Sequence, residues 1–266
     1  MKGILLADGW GARVVPGRSR GLRLGRRRGR GRLSAGGGHP RGGHDGGGPL
    51  RNGPDAAYRA NALGSANVAR ACHRHGARPL AMSTDYVFSG ELDRPYHEWD
   101  EPDPRTVYGR SKAAGEEAVR TLCPDHVIVR TAWLYGPGGP SFLHTMLKMG
   151  REPGPPLKVV DDQRGGPTST RWLAACLERL LFEPVGGTVH ASCEGETTWF
   201  GFAREIFALW GLRRELVPCR TGEFPRTTSR PANSRLKKRI LRLLGWPPPA
   251  TWRDEPASFR NEYPEG

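Results

Sequence analysis

The run Arg78-Pro79-Leu80-Ala81-Met82-Ser83-Thr84-Asp85-Tyr86-Val87-Phe88 decides how this chain folds. Its first half is a short apolar segment, which predicts a buried strand ending at Ser83 and Thr84. Tyr86, Val87 and Phe88 are β-prone as well. Glu101-Pro102-Asp103-Pro104 then reads as a proline-broken loop, because proline disfavours helix in the residue before it. The next segment opens with Tyr108-Gly109-Arg110-Ser111-Lys112 and stays rich in Ala and Glu to Leu122, a good helix. Tyr108 and Lys112 therefore share one helix face, about one turn apart. The nearby ammonium predicts a lowered phenol pKa and hence a proton shuttle near neutral pH. Thr84, at the strand end, is placed to hold the oxygen that receives the proton. This is equipment for reducing a ketone or oxidising an alcohol with a nicotinamide cofactor. An isolated Tyr-x-x-x-Lys is commonly a bland surface pair; the strand that delivers Thr84 and Asp85 beside it favours chemistry.

Outward from that centre, strands and helices alternate. Asp55 is the predicted cap of a helix whose apolar positions, Ala56, Ala60, Leu63, Ala66, Ala69 and Ala71, continue to Gly76. Strands are predicted at 126–130, 157–160 and 188–192. Helices are predicted around 142–149, 170–181 and 198–209, with a short one near 252–259 in a proline-rich tail that begins at Pro218. Such alternation implies an α/β fold with a parallel sheet and right-handed crossovers.

With 266 residues the chain can bury one large domain or two lobes. Its formal charge of +14 is unevenly spread: residues 1–52 carry +10 (Lys2 and eleven arginines against Asp8 and Asp45), leaving +4 for the rest. That first segment is Gly- and Arg-rich and is expected to be disordered. Cys72, Cys123, Cys176, Cys193 and Cys219 are scattered and odd in number, and the eight histidines show no ligand spacing. Free thiols, no metal site and a cytoplasmic protein are the expectation. No run approaches the length of a membrane helix. Gly136-Pro137-Gly138-Gly139 lacks the Lys-Ser/Thr ending of a phosphate loop and reads as a turn. Lys237-Lys238-Arg239 reads as a solvated helix face. Arg230 is a candidate for a nucleotide diphosphate, since its fork is bidentate.

An ordered series of motifs carries a resemblance. It comprises Asp55-Ala-Ala-Tyr-Arg-Ala-Asn61, the Ser83–Phe88 run, Val107-Tyr-Gly-Arg-Ser-Lys112, Arg130-Thr-Ala-Trp-Leu-Tyr-Gly136 and Asp162-Gln163 with Gly166-Pro-Thr168. His190, Trp199-Phe-Gly-Phe-Ala203 and Arg230-Pro-Ala-Asn-Ser234 follow. From about Gly53 onward the chain resembles the dTDP-4-dehydrorhamnose reductases, a family of extended short-chain dehydrogenases/reductases. The resemblance implies a Rossmann-like parallel sheet, incomplete here at its N-terminal edge, with a smaller C-terminal substrate-binding lobe. On this reading 1–52 stands apart, 53–132 is the rest of the cofactor and catalytic domain, and 133–266 is mainly the sugar-nucleotide lobe with returning core elements. It implies reduction of the 4-keto group of dTDP-4-dehydro-L-rhamnose by NADPH or NADH. Tyr108 would be the proton donor, Lys112 would bind the nicotinamide ribose and tune Tyr108, and Ser83 would join the cofactor site. Thr84 and Asp85 would bond the reacting sugar, Trp133 would pack on it, and Arg230 would meet the substrate. Asn61 would stand behind the site in a structural or proton-relay role. Mg2+ and a homodimer enter by family resemblance only.

The first 52 residues depart from that family. Ile4-Leu5-Leu6 is a candidate remnant of the first strand, but Gly9-Trp10-Gly11 lacks the third glycine of a dinucleotide turn and no amphipathic helix follows. A reading-frame error in GC-rich DNA is one explanation and a nucleic-acid-binding Arg-Gly arm is the other. The arm has no aromatic beyond Trp10, so nucleic acid is not the expected partner. A further alternative is a non-catalytic regulatory subunit resembling the methionine adenosyltransferase β subunit.

Overall fold

Short apolar runs form the sheet, and Ala-rich amphipathic segments cover it. The computed structural model describes residues 4–8, 11–15, 53–223 and 230–264. The first elements are β1 (Ile4–Asp8) and β2 (Gly11–Val15), then α1 (Pro54–Tyr58), a π-helical turn over Arg59–Leu63 and α2 (Gly64–Arg74). β3 (Arg78–Thr84) ends in a single 3-10 turn, Asp85–Val87; α3 (Val107–Leu122), β4 (Val127–Thr131) and β5 (Leu134–Tyr135) follow. Next come α4 (Phe142–Arg151), β6 (Leu157–Val160), β7 (Arg164–Gly165), β8 (Thr168–Ser169) and α5 (Thr170–Leu180). β9 (Gly187–His190), β10 (Thr197–Thr198), α6 (Trp199–Trp210) and β11 (Leu216–Cys219) lead to α7 (Arg239–Leu243) and α8 (Asp254–Glu262).

The main sheet has the order β2-β1-β3-β4-β9. β1, β3, β4 and β9 run parallel, as the alternation of strands and helices predicts, so the fold is Rossmann-like α/β. Ile4–Asp8 occupies the first-strand position beside β3. β2 is antiparallel to β1, with Ile4 opposite Val15 and Asp8 opposite Gly11. The disorder, frame-error and nucleic-acid readings of 1–52 otherwise fall outside the described residues.

The period of two along the strands sorts the core into two layers. Ala81 and Ile128 pack with Ala69, Cys72 and Val119 of α2 and α3. Leu80, Val127 and Val129 pack on the other face with Leu173 and Leu180 of α5 and Leu241 of α7. A separate aromatic-rich core gathers Leu143, Leu147, Phe202, Ile206, Trp252 and Phe259 from α4, α6 and the C-terminal segment. All five cysteines are buried and free.

Local chemistry corrects several expectations. The first helix is capped at Gly53 with Pro54 inside it; Asp55 sits in the first turn, where its charge suits the helix dipole. Tyr86 and Val87 are not strand: the Thr84 hydroxyl accepts the Tyr86 N–H at 3.3 Å and bends the chain into the 3-10 turn. Lys238 is not solvated. Its ammonium is buried, donating to the Cys193 carbonyl at 3.1 Å and pairing with Glu194 at 3.1 Å.

Candidate active site

The C-terminal end of β3 and the first turn of α3 are pressed together. The Thr106 hydroxyl caps α3 by accepting the Gly109 N–H at 3.0 Å. Gly109 lies so close to the 3-10 turn that a Cβ there would stand 2.1 Å from the Tyr86 carbonyl oxygen. The glycine inside the Tyr-x-x-x-Lys segment thus lets α3 seat on Tyr86 and brings Tyr108 edge-on to it, ring centroids 5.7 Å apart. Further along α3, Gly115 approaches the Asn61 carbonyl oxygen in the same way. Asn61 Nδ2 donates to Ser111 Oγ at 2.9 Å, and Ser111 Oγ donates to the Tyr108 carbonyl at 2.8 Å. Asn61 therefore ties the π-helical turn to the backbone that carries Tyr108.

Tyr108, Thr84 and Asp85 converge. Thr84 Oγ1 donates to Asp85 Oδ1 at 2.9 Å and also hydrogen-bonds the Tyr108 phenol. Asp85 is buried, and burial raises its carboxyl to about 6 against the opposing help of Thr84, Ser234 and Arg230. The phenol of Tyr108 is raised to about 12, first by burial and then by the Asp85 charge. The expected lowering is thus overturned: desolvation and the neighbouring Asp85 carboxylate raise the phenol. Lys112 Nζ reaches back along β3 and donates to the Met82 carbonyl at 3.3 Å.

Ser83 points the other way. Its hydroxyl donates to Glu116, which also receives Arg130 Nε and Nη2 at 2.8 and 2.6 Å and Arg120 Nη2 at 2.7 Å. Glu116 and Arg130 are both buried. This charged group holds the end of β3 from beneath, a role that the sequence motif does not reveal.

On the far side of Asp85 stand Trp133, Trp199, Ser234 and Arg230. Trp133 Nε1 donates to Ser234 Oγ at 3.0 Å, and the Trp133 indole lies flat on Trp199 with centroids 3.5 Å apart. The Arg230 guanidinium lies 5.8 Å from the Trp199 ring centroid and close enough to Asp85 to favour its carboxylate. The structure brings together Thr84, Asp85, Tyr108, Trp133 and Arg230, and adds Trp199 and Ser234, for which sequence reasoning named no role. Both lie inside the ordered motifs, so position was legible even though contact was not. Among the described residues, no cluster of three or more His, Cys, Asp or Glu is placed to hold a metal. No described helix is long and apolar enough to cross a membrane.

Asp85 gives a measurable consequence. Because its folded pKa is above the ordinary carboxylate value, the native state binds this proton more tightly than the unfolded state. The contribution of Asp85 to stability is therefore fully present below the ordinary carboxylate range and is lost as pH rises through about 6. Asp85→Asn is expected to gain ~1–3 kcal/mol over the parent at pH 8 and nothing at pH 4. Urea denaturation at the two pH values checks this; equal stability of the two proteins at pH 8 would contradict it.

Comparison with known proteins agrees with this arrangement. The RmlD substrate binding domain family matches residues 51–264. A Mycobacterium tuberculosis (strain H37Rv) dTDP-4-dehydrorhamnose reductase is 43% identical over 204 residues, covering 74% of this chain and 67% of that protein. The spore coat polysaccharide biosynthesis protein SpsK of Bacillus subtilis (strain 168) is 40% identical over 208 residues, 78% of this chain and 72% of that protein. In three dimensions the chain is similar to a dTDP-4-dehydrorhamnose reductase of Bacillus anthracis solved in complex with NADP. The TM-score is 0.76 at 38% identity, with 80% of this chain and 75% of that one covered. A Clostridium acetobutylicum dTDP-4-dehydrorhamnose reductase gives a TM-score of 0.77 at 41% identity, over 79% of this chain and 75% of that one. The chain belongs to the dTDP-4-dehydrorhamnose reductase family.

Proposed function

We propose that this chain reduces the 4-keto group of dTDP-4-dehydro-L-rhamnose to give dTDP-L-rhamnose, with NADPH or NADH as reductant. The observation that carries the reading is the convergence of Tyr108, Thr84 and Asp85 at the junction of β3 and α3. A bound nicotinamide supplies the hydride. Tyr108 holds a proton at its phenol oxygen throughout the physiological pH range and gives it to the C4 oxygen of the sugar. Thr84 bonds that oxygen by turning to it the single O–H that otherwise goes to Asp85 Oδ1 at 2.9 Å. Trp133 offers an apolar indole to the sugar, and Arg230 offers a forked cation to the diphosphate. Lys112 is assigned to the nicotinamide ribose. Residues 53–132 thus supply the reacting groups and 133–266 mainly the sugar-nucleotide contacts.

The residues at β3 and α3 fit a nicotinamide; the start of the chain fits a dinucleotide poorly. Among the described residues, the element that follows β1 is its antiparallel partner β2 and not a helix N-terminus that could receive a diphosphate. NADPH is accordingly expected to bind weakly, with most of its hold at the nicotinamide end. Titration with NADPH and dTDP-L-rhamnose in parallel tests the division: tight sugar-nucleotide binding beside weak NADPH binding is expected. A folded protein that binds neither would overturn the reading.

A further inference from the structure

Trp133 lies between β4 and β5 with φ at +48°, the one non-glycine residue with positive φ among those described. A bulky aromatic residue keeps that left-handed backbone only when its surroundings fix it. The Trp133 carbonyl accepts the Thr168 N–H at 3.1 Å, and its indole N–H is held by Ser234. Gly165 crowds the ring so closely that a Cβ there would stand 2.4 Å from Cε2. The indole face rests on Trp199, tilted from it by only 6°.

Trp199 is itself oriented by a buried amide. It opens α6, where Thr198 caps the helix by accepting the Gly201 N–H at 3.0 Å. Trp199 Nε1 donates to Gln163 Oε1 at 3.1 Å, and Gln163 Nε2 donates to Thr221 Oγ1 at 3.0 Å. Gln163 is only 3% exposed. Its donor and acceptor ends have unlike partners, so the amide has one satisfied orientation and holds the indole N–H in one place.

We propose that Gln163 and Trp199 are positioning residues for the sugar-nucleotide site: the Gln163 amide fixes the plane of Trp199, and the Trp199 face fixes the plane of Trp133. The proposal rests on the reading of Trp133 as the wall against which the sugar packs. The Tyr108–Thr84–Asp85 chain does not run through either residue. Their loss therefore weakens substrate binding while sparing the chemical step.

The test uses the full chain labelled with 5-fluorotryptophan, with the Trp133 fluorine resonance assigned by its loss in Trp133→Phe. Gln163→Leu removes the amide, and Trp199→Phe keeps an aromatic face while removing the N–H. Each is expected to shift the Trp133 resonance and raise KM for the sugar nucleotide about tenfold with kcat within about threefold. The double variant is expected to be no worse than either single one, since both break the same bond. An unmoved Trp133 resonance, an unchanged KM, or independent additive losses would overturn the proposal. If Gln163→Leu fails to fold, Trp199→Phe alone carries the spectral and kinetic test. Adding dTDP-L-rhamnose to the parent separates the two levels. If the Trp133 resonance does not respond, the sugar-wall reading fails, while the fluorine shifts still report whether Gln163 sets the stack.

Discussion

Tyr108→Phe is expected to lower kcat by about 10²–10⁴-fold while leaving dTDP-L-rhamnose binding within about twofold. The phenol oxygen is the only atom lost. Without its proton the reduced C4 oxygen would form as an alkoxide next to the buried Asp85 carboxylate, a costly charge in a dry site. The raised phenol pKa supports this direction of proton flow. At about 12, Tyr108 stays protonated across the physiological range and is loaded as a donor. Removing the Asp85 charge takes away the second cause of that elevation, so Asp85→Asn lowers the phenol pKa. Steady-state kinetics beside a binding titration reads the effect. A variant with unchanged kcat would remove Tyr108 from the role.

The second large effect concerns stability and lies beneath the site. Glu116→Leu or Arg130→Met, made singly, is expected to cost ~3–5 kcal/mol, because the first strands the buried Arg130 guanidinium and the second takes the bidentate partner from the buried Glu116 carboxylate. Burial alone would push the Glu116 carboxyl up; the paired Arg130 guanidinium, Ser83 and Arg120 outweigh it and hold the carboxyl below its ordinary value. Its contribution is therefore fully present above the ordinary carboxylate range and is lost as pH falls through the lower folded value. The double variant, with two apolar groups of similar size, is expected to recover most of the loss. Urea denaturation at neutral pH measures all three. A loss below ~1 kcal/mol in both single variants would mean that the pair is not a buried load on the fold. Ser83 bonds the same carboxylate next to Thr84, so the single variants are also expected to loosen the end of β3.

Elements whose chemistry is local were readable from the residues. Leu157–Val160 and the Thr170 helix follow from apolar runs and caps, and β3 with α3 follows from the run that surrounds Thr84 and Tyr108. What failed to read depends on contacts that residue type and spacing do not encode. Tyr86 and Val87 carry β propensity, but a single hydroxyl bond from Thr84 turns them into a 3-10 turn. Lys238 looks solvated until Cys193 and Glu194 are brought to it across more than forty residues. The raised pKa of Tyr108 is hidden as well: spacing reveals Lys112 but not the desolvation of the phenol or the closeness of Asp85. Gln163 and Trp199 sit in motifs that mark the family, yet nothing in their spacing says that one holds the other. β2 was not foreseen either: a Gly- and Arg-rich context hides the short Gly11–Val15 pairing with β1.

The reductase reading is tested most directly by incubating the full chain with NADPH at high concentration and dTDP-4-dehydro-L-rhamnose, following nicotinamide absorbance and identifying the sugar product. Oxidation of NADPH with equimolar formation of dTDP-L-rhamnose, abolished by Tyr108→Phe, is the expected result. A folded chain that binds dTDP-L-rhamnose but leaves NADPH unoxidised at every concentration would contradict it.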